Sequence, residues 1–107
     1  MKRDSRDARF SKSIRERDAY TCQRCGAVHA PNSRGLHSAH CFSRGKLGTR
    51  FDPENACALC YGCHRYLDGR FDEKKAFFRL RLGDARFEAL QLRSNQSKKL
   101  SASGIET

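Results

Sequence analysis

The sequence has no long apolar run. No stretch approaches the roughly 18 residues that a membrane-spanning helix needs, so a transmembrane segment is excluded as a reading. The opening residues, MKRDSRDARFSKS, lack the apolar centre of a signal peptide, and a cytoplasmic location is expected. Hydrophobic residues make up only 37% of 107 positions and the mean hydropathy is −0.82, too little for a large core. No repeat occurs beyond two C-x-x-C units, which excludes a solenoid. Acidic residues are few as well: 12 Asp plus Glu stand against 22 Lys plus Arg, for a formal charge of +10.

Two things are plentiful, positive charge and cysteine. Arginine outnumbers lysine, and a guanidinium grips phosphate through two parallel hydrogen bonds, so the expected partner is a polyanion, above all nucleic acid. Six cysteines in a short polar chain point to staples that supplement a thin core. In a reducing compartment those staples are metal ions rather than disulfides.

The pattern of elements is that of a small α+β domain over residues 1–94. Residues 6–20 set Phe10, Ile14 and Asp18 at helical spacing, predicting an amphipathic helix that ends before Thr21. Residues 21–26, TCQRCG, read as a tight knuckle closed by Gly26, and 27–35 as a loop. Residues 36–43 read as a short strand, 44–55 as a loop, and ACALC at 56–60 as a buried strand or turn. A helix is predicted from about Tyr61 to Leu67, stopped by Gly69, which completes a cysteine-clasped core over 21–69. Further helices are predicted over 72–93, broken at Gly83, with Asp84 as an N-cap. The Ser-rich segment 95–107 is expected to be a disordered tail.

Cys22-x-x-Cys25 and Cys60-x-x-Cys63 are the strongest signal. A two-residue spacer lets both thiolates of a pair face one ion, and two pairs complete a closed, structural four-thiolate zinc site. A redox role for C-x-x-C needs a βαβ setting that this sequence lacks. Simple zinc ribbons separate their pairs by about 15 to 20 residues. Here 34 residues lie between Cys25 and Cys60, so a further unit sits inside the clasp. Cys41 and Cys57 are left over and read as small buried hydrophobes.

That insert contains His29, His37 and His40, and His64 directly follows Cys63. Adjacent residues on a helix diverge by about 100°, so Cys63 and His64 can serve two different metals. His29, in the loop AVHAPN, is expected to face solvent.

The segment LHSAHCFSRGKLGTRFDPENACALCYGCHRYLDG, residues 36–69, resembles the HNH, or ββα-metal, endonucleases, most closely their phage NinG-like recombination branch. The shared elements are a His before an Arg-containing loop, then R-F-D-x-x-N, then C-x-x-C followed by Asn or His. The resemblance extends over about residues 13–92. It implies a ββα-metal core, clasped here by the four-cysteine site and flanked by N- and C-terminal helices. It implies His40 as the general base, Asn55 as the brace of the loop behind it, and His64 as a ligand of a catalytic divalent ion. The implied reaction is metal-dependent hydrolysis of DNA phosphodiester bonds; little sequence specificity is expected, since no recognition helix stands out in the sequence.

In many HNH enzymes a metal ligand immediately precedes the base, but position 39 here is Ala. His37 is the expected replacement. A regular strand points residues 37 and 40 to opposite faces, so a bulge or strand end is expected there. Asp52, Glu54 and Asp68 are the carboxylates near enough in sequence to substitute for His37. Arg44, Arg50 and Arg65 are the candidate phosphate contacts. Imidazole ligands suit zinc, nickel or manganese, and phosphate with water suits magnesium. The substrate is expected to be double-stranded or branched DNA, with RNA open, and the protein a monomer or a homodimer through Phe77, Phe78, Leu80 and Leu82. The competing reading is a zinc-stapled module that binds nucleic acid without cutting it.

Overall fold

A computed structural model describes residues 3–96; the tail expected over 95–107 thus falls largely outside the described residues. Over the described residues the protein is a small compact α+β structure with four α-helices and a two-stranded antiparallel sheet. The order is α1 (Ser5–Arg17), β1 (Leu36–His40), a 3-10 turn (Pro53–Asn55), β2 (Ala56–Cys60), α2 (Tyr61–Asp68), α3 (Phe71–Leu82) and α4 (Asp84–Gln96). Among the described residues no helix is long and apolar enough to cross a membrane.

Helix α1 starts where its chemistry allows. Asp4 accepts from the backbone N–H groups of Arg6 and Asp7, and Asp7 accepts in return from the Asp4 N–H, a reciprocal capping box. The helix stops at Arg17, earlier than expected, because Ala19 and Tyr20 both adopt left-handed backbone, with φ of 55° and 54°. Non-glycine residues rarely do so. The turn is held by bonds from Tyr20 N to Arg15 O and from His29 N to Tyr20 O. Arg17 then reaches the carbonyls of Pro53 and Ala56, fixing the end of α1 to the start of β2.

The strands pair in unbroken register, from Leu36 opposite Cys60 to His40 opposite Ala56. β1 ends at His40 rather than at 43, because the chain bends at Cys41 and Phe42 to bury both side chains. The outer edge of β2 is closed off: Ala58 donates its N–H to Asp18, and its carbonyl accepts from Gln23 of the cysteine knuckle. Covering an edge this way removes a template for aggregation.

The core gathers Leu36, Ala39, Cys57, Leu59 and Leu67 from the hairpin and α2 with Phe78, Phe87 and Leu90 from α3 and α4. Gly83, at φ 88°, ends α3 in a backbone conformation that glycine tolerates best. Helix α4 continues to Gln96, past the expected end, because Leu90 and Ser94 lie one turn apart and are both buried. Phe78 is buried and Phe77 and Leu82 pack against the core, so of the four residues named for dimerisation only Leu80 is prominent, at 86% exposed.

Candidate metal sites and the basic trough

The two cysteine pairs meet. The sulfurs of Cys22, Cys25, Cys60 and Cys63 all lie within 4.8 Å of one another, and Cys25 Sγ is 3.8 Å from Cys60 Sγ. A tetrahedral zinc with bonds of about 2.3 Å has sulfur–sulfur edges of about 3.8 Å. The four sulfurs can therefore hold one structural zinc. The knuckles supply the supporting bonds: Cys25 N donates to Cys22 Sγ and Cys63 N to Cys60 Sγ, each at 3.4 Å. Arg24 adds a third, from Nη1 to Cys63 Sγ at 3.4 Å, while its guanidinium stacks on the Tyr66 ring. Burial pushes the Cys63 thiol up to about 12 despite Arg24. Cys41 and Cys57 stand outside the cluster, and burial pushes both thiols up to about 12, as suits inert core residues.

The histidines fall on two faces of β1. His40 packs against Phe10 of α1, ring centroids 5.7 Å apart, whereas His37 meets Tyr61 and His64 of α2. No bulge is needed for this, since the ladder is regular through both residues; of the two expected devices it is the strand end that is found, with β1 stopping at His40. Helix α2 instead brings His64 to His37, with Nδ1 to Nδ1 at 2.9 Å. The other nitrogen of each ring faces an oxygen. His37 Nε2 lies 3.1 Å from the carbonyl of Arg34, and His64 Nε2 lies 3.7 Å from Asp68 Oδ1. When both Nε2 atoms carry the proton, two lone pairs face each other at the Nδ1 atoms, an arrangement that favours a shared cation. Two nitrogens at about 2.0–2.1 Å from one tetrahedral ion stand about 3.3 Å apart, so a small opening of the pair would admit it. Among the described residues, however, the four cysteines are the only group of three or more side chains gathered as a metal site.

His40 sits behind a different support. Its Nε2 is 3.0 Å from the Arg50 carbonyl, which leaves Nδ1 as the lone-pair nitrogen when Nε2 donates. Burial holds its pKa below the ordinary 6.5, with Arg44 and Lys74 acting in the same direction. Asn55 is fully buried. Its Oδ1 accepts from Phe42 N at 2.8 Å, and its Nδ2 donates to the carbonyls of Phe42 and Thr49 at 2.9 and 3.0 Å. It therefore clamps both ends of the loop that ends at Arg50.

Arg50 is not available to a substrate. It is buried and bonded through Nε and Nη2 to both oxygens of buried Asp7, whose carboxyl it holds far below the usual carboxylate range. This corrects the expectation of a phosphate contact. Arg44 also pairs with Asp7, at 3.3 Å, yet its side chain stays about one-third exposed. Arg65 is exposed and bonded to the Tyr61 hydroxyl. Asp52 and Glu54 point to Arg93 and Arg86 of α4, which removes them as ligands and leaves Asp68 as the carboxylate beside His64. His29 is half-buried against Gly35 rather than solvent-facing.

Two adjoining depressions share Arg3, Ser11, Ser38 and His64, forming one trough between α1 and the hairpin. One holds His40 with Arg44, Lys46 and Lys74; the other holds His37 with Arg15 and Arg34. Strand parity puts Ser38 on the face of His40, a signal legible in the sequence but not used. Asp7, 43 residues from Arg50, had no sequence signal. No family model, curated protein or solved structure matches the chain.

Proposed function

We propose that the protein is a metal-dependent endonuclease of the HNH type that hydrolyses phosphodiester bonds in DNA. The observation that carries this reading is the His37–His64 pair, with Nδ1 atoms 2.9 Å apart and both Nε2 atoms turned to oxygen acceptors. Acceptors behind the ring are the arrangement that fixes metal-ligating imidazoles. On this reading β1, β2 and α2 form a ββα-metal core, and the four-cysteine zinc is purely structural.

His37 and His64 would hold the divalent ion, leaving its other positions to water and phosphate oxygens. The bound ion would supply Lewis acidity to the scissile phosphate and offset charge on the leaving oxygen. His40, held neutral by burial, accepts a proton from water at Nδ1 while Nε2–H stays on the Arg50 carbonyl. The water oxygen bonds to phosphorus, the bond to the 3′-oxygen breaks, the departing 3′-oxygen takes a proton from a solvent water, and 5′-phosphate and 3′-hydroxyl ends result. Asn55 touches no substrate; it positions the loop whose carbonyl aims His40. Arg44 and Arg65 are the remaining candidate phosphate contacts.

Three metal titrations of nicking rate test this assignment. His37→Ala and His64→Ala should each raise the metal concentration needed for half-maximal rate, with partial recovery at high metal. His40→Ala should stay inactive at every metal concentration, because filling a metal site does not restore a base. Wild-type metal dependence in His37→Ala and His64→Ala together would overturn the site.

A further inference from the structure

Two buried side-chain atoms in the trough have no hydrogen-bond partner among the described residues: Arg15 Nε on α1 and Ser38 Oγ on β1. Both residues line the same depression as His37 and His64. The Arg15 Nε–H can only donate, and Ser38 offers a rotatable O–H that can do the same. Burying such donors unmatched is costly, so native proteins match nearly all of them.

The surroundings define what would match them. Arg3 and Arg34 stand with Arg15 in this depression, and among the described residues no carboxylate lines it. The adjoining depression around His40, by contrast, includes Asp7 and Asp68. Three guanidinium groups and an unmatched hydroxyl suit an acceptor-only oxyanion, and phosphate fits the donor geometry of arginine. His64 belongs to both depressions, so the two sites adjoin along one trough.

We infer that Arg15 and Ser38 form a subsite for a second, uncleaved phosphate of the nucleic-acid strand, next to the one at the His37–His64 pair. The subsite rests on the nuclease reading for its adjacency to cleavage, but its affinity for phosphate stands on Arg15 and Ser38 alone. A strand in the trough then reaches from the Arg44 side, past the histidines, to the Arg34 side. Arg15 and Ser38 are binding and positioning residues, not catalytic ones.

The test combines three readouts on the zinc-loaded protein: melting temperature, anisotropy of a fluorescein-labelled 20-base-pair DNA across a salt series, and plasmid nicking. Ser38→Ala should leave the melting temperature unchanged or raised, because it deletes an unmatched group, and should weaken DNA binding about fivefold. Arg15→Gln should lower the salt slope of binding by about one, while Arg15→Lys keeps the slope and loses part of the affinity. Wild-type affinity and slope in Ser38→Ala and Arg15→Gln would overturn the subsite. So would a lowered melting temperature with unchanged binding in Ser38→Ala, the mark of a structural water. Loss of binding in the variants of a protein that never nicks DNA would keep the subsite and reject the nuclease reading. Normal nicking with unaltered binding would do the reverse.

Discussion

Asn55→Ala should cost a large share of the stability of this protein, although the residue lies in a single 3-10 turn. The side chain is fully buried and makes three bonds, one accepted from Phe42 N and two donated to the carbonyls of Phe42 and Thr49. Alanine leaves one N–H and two carbonyls unmatched. At about 1–3 kcal/mol for each buried group left without a partner, and with some relief where a carbonyl finds water, the loss is about 3–5 kcal/mol. Small domains have about 5–15 kcal/mol in total. Urea unfolding of the zinc-loaded protein, followed by circular dichroism, should show a much lower midpoint with a similar slope. Asn55→Asp keeps the acceptor for Phe42 N but turns a second oxygen on two carbonyls, so it should be at least as damaging at neutral pH. A loss below about 1 kcal/mol in Asn55→Ala would refute the clamp, since that is less than one unmatched buried group.

The cysteine site gives a sharper threshold. Apparent zinc binding of about 10–16 kcal/mol in small structural sites exceeds the whole stability of such a domain, so Cys60→Ser should unfold it, as circular dichroism and metal analysis would report. His40 sets the pH dependence. Because burial depresses its pKa, the neutral base is lost only as pH falls through a value below 6.5, and the acid limb of the nicking rate should lie there. Asp7→Asn should lower the melting temperature by taking from buried Arg50 its nearest carboxylate, with Asp4 left at 3.6 Å, and exchanging Asp7 and Arg50 for apolar residues of similar volume should recover most of the loss.

Local chemistry was legible in the sequence; long-range pairing was not. The cysteine spacing led to a cluster that forms; the mixed residues of LHSAHCFS led to a short strand and the apolar run ACALC to a buried strand or turn, and both segments hold strands. The end of α1 was misjudged because Ala19 and Tyr20, residues with no turn preference, take left-handed backbone under the pull of tertiary bonds. Of the bulge or strand end expected around His37 and His40, the strand end is found: β1 stops at His40, and α2 brings His64 to His37. Arg50 was misread as a surface cation because it sits in a turn while its partner, Asp7, lies far away in the sequence on α1. Charge composition shows that arginines abound, but not which of them a carboxylate already holds.

The central claim is hydrolysis of DNA, and one assay addresses it most directly. Zinc-loaded protein and its His40→Ala variant are incubated with supercoiled plasmid, with magnesium, manganese, nickel or zinc added, or with no added ion. The account predicts conversion to nicked or linear DNA with at least one ion, little without it, and a loss of about a hundredfold or more in His40→Ala at unchanged DNA affinity. A folded, zinc-loaded protein that binds the plasmid yet leaves it intact with every ion would contradict the account and leave a nucleic-acid-binding module.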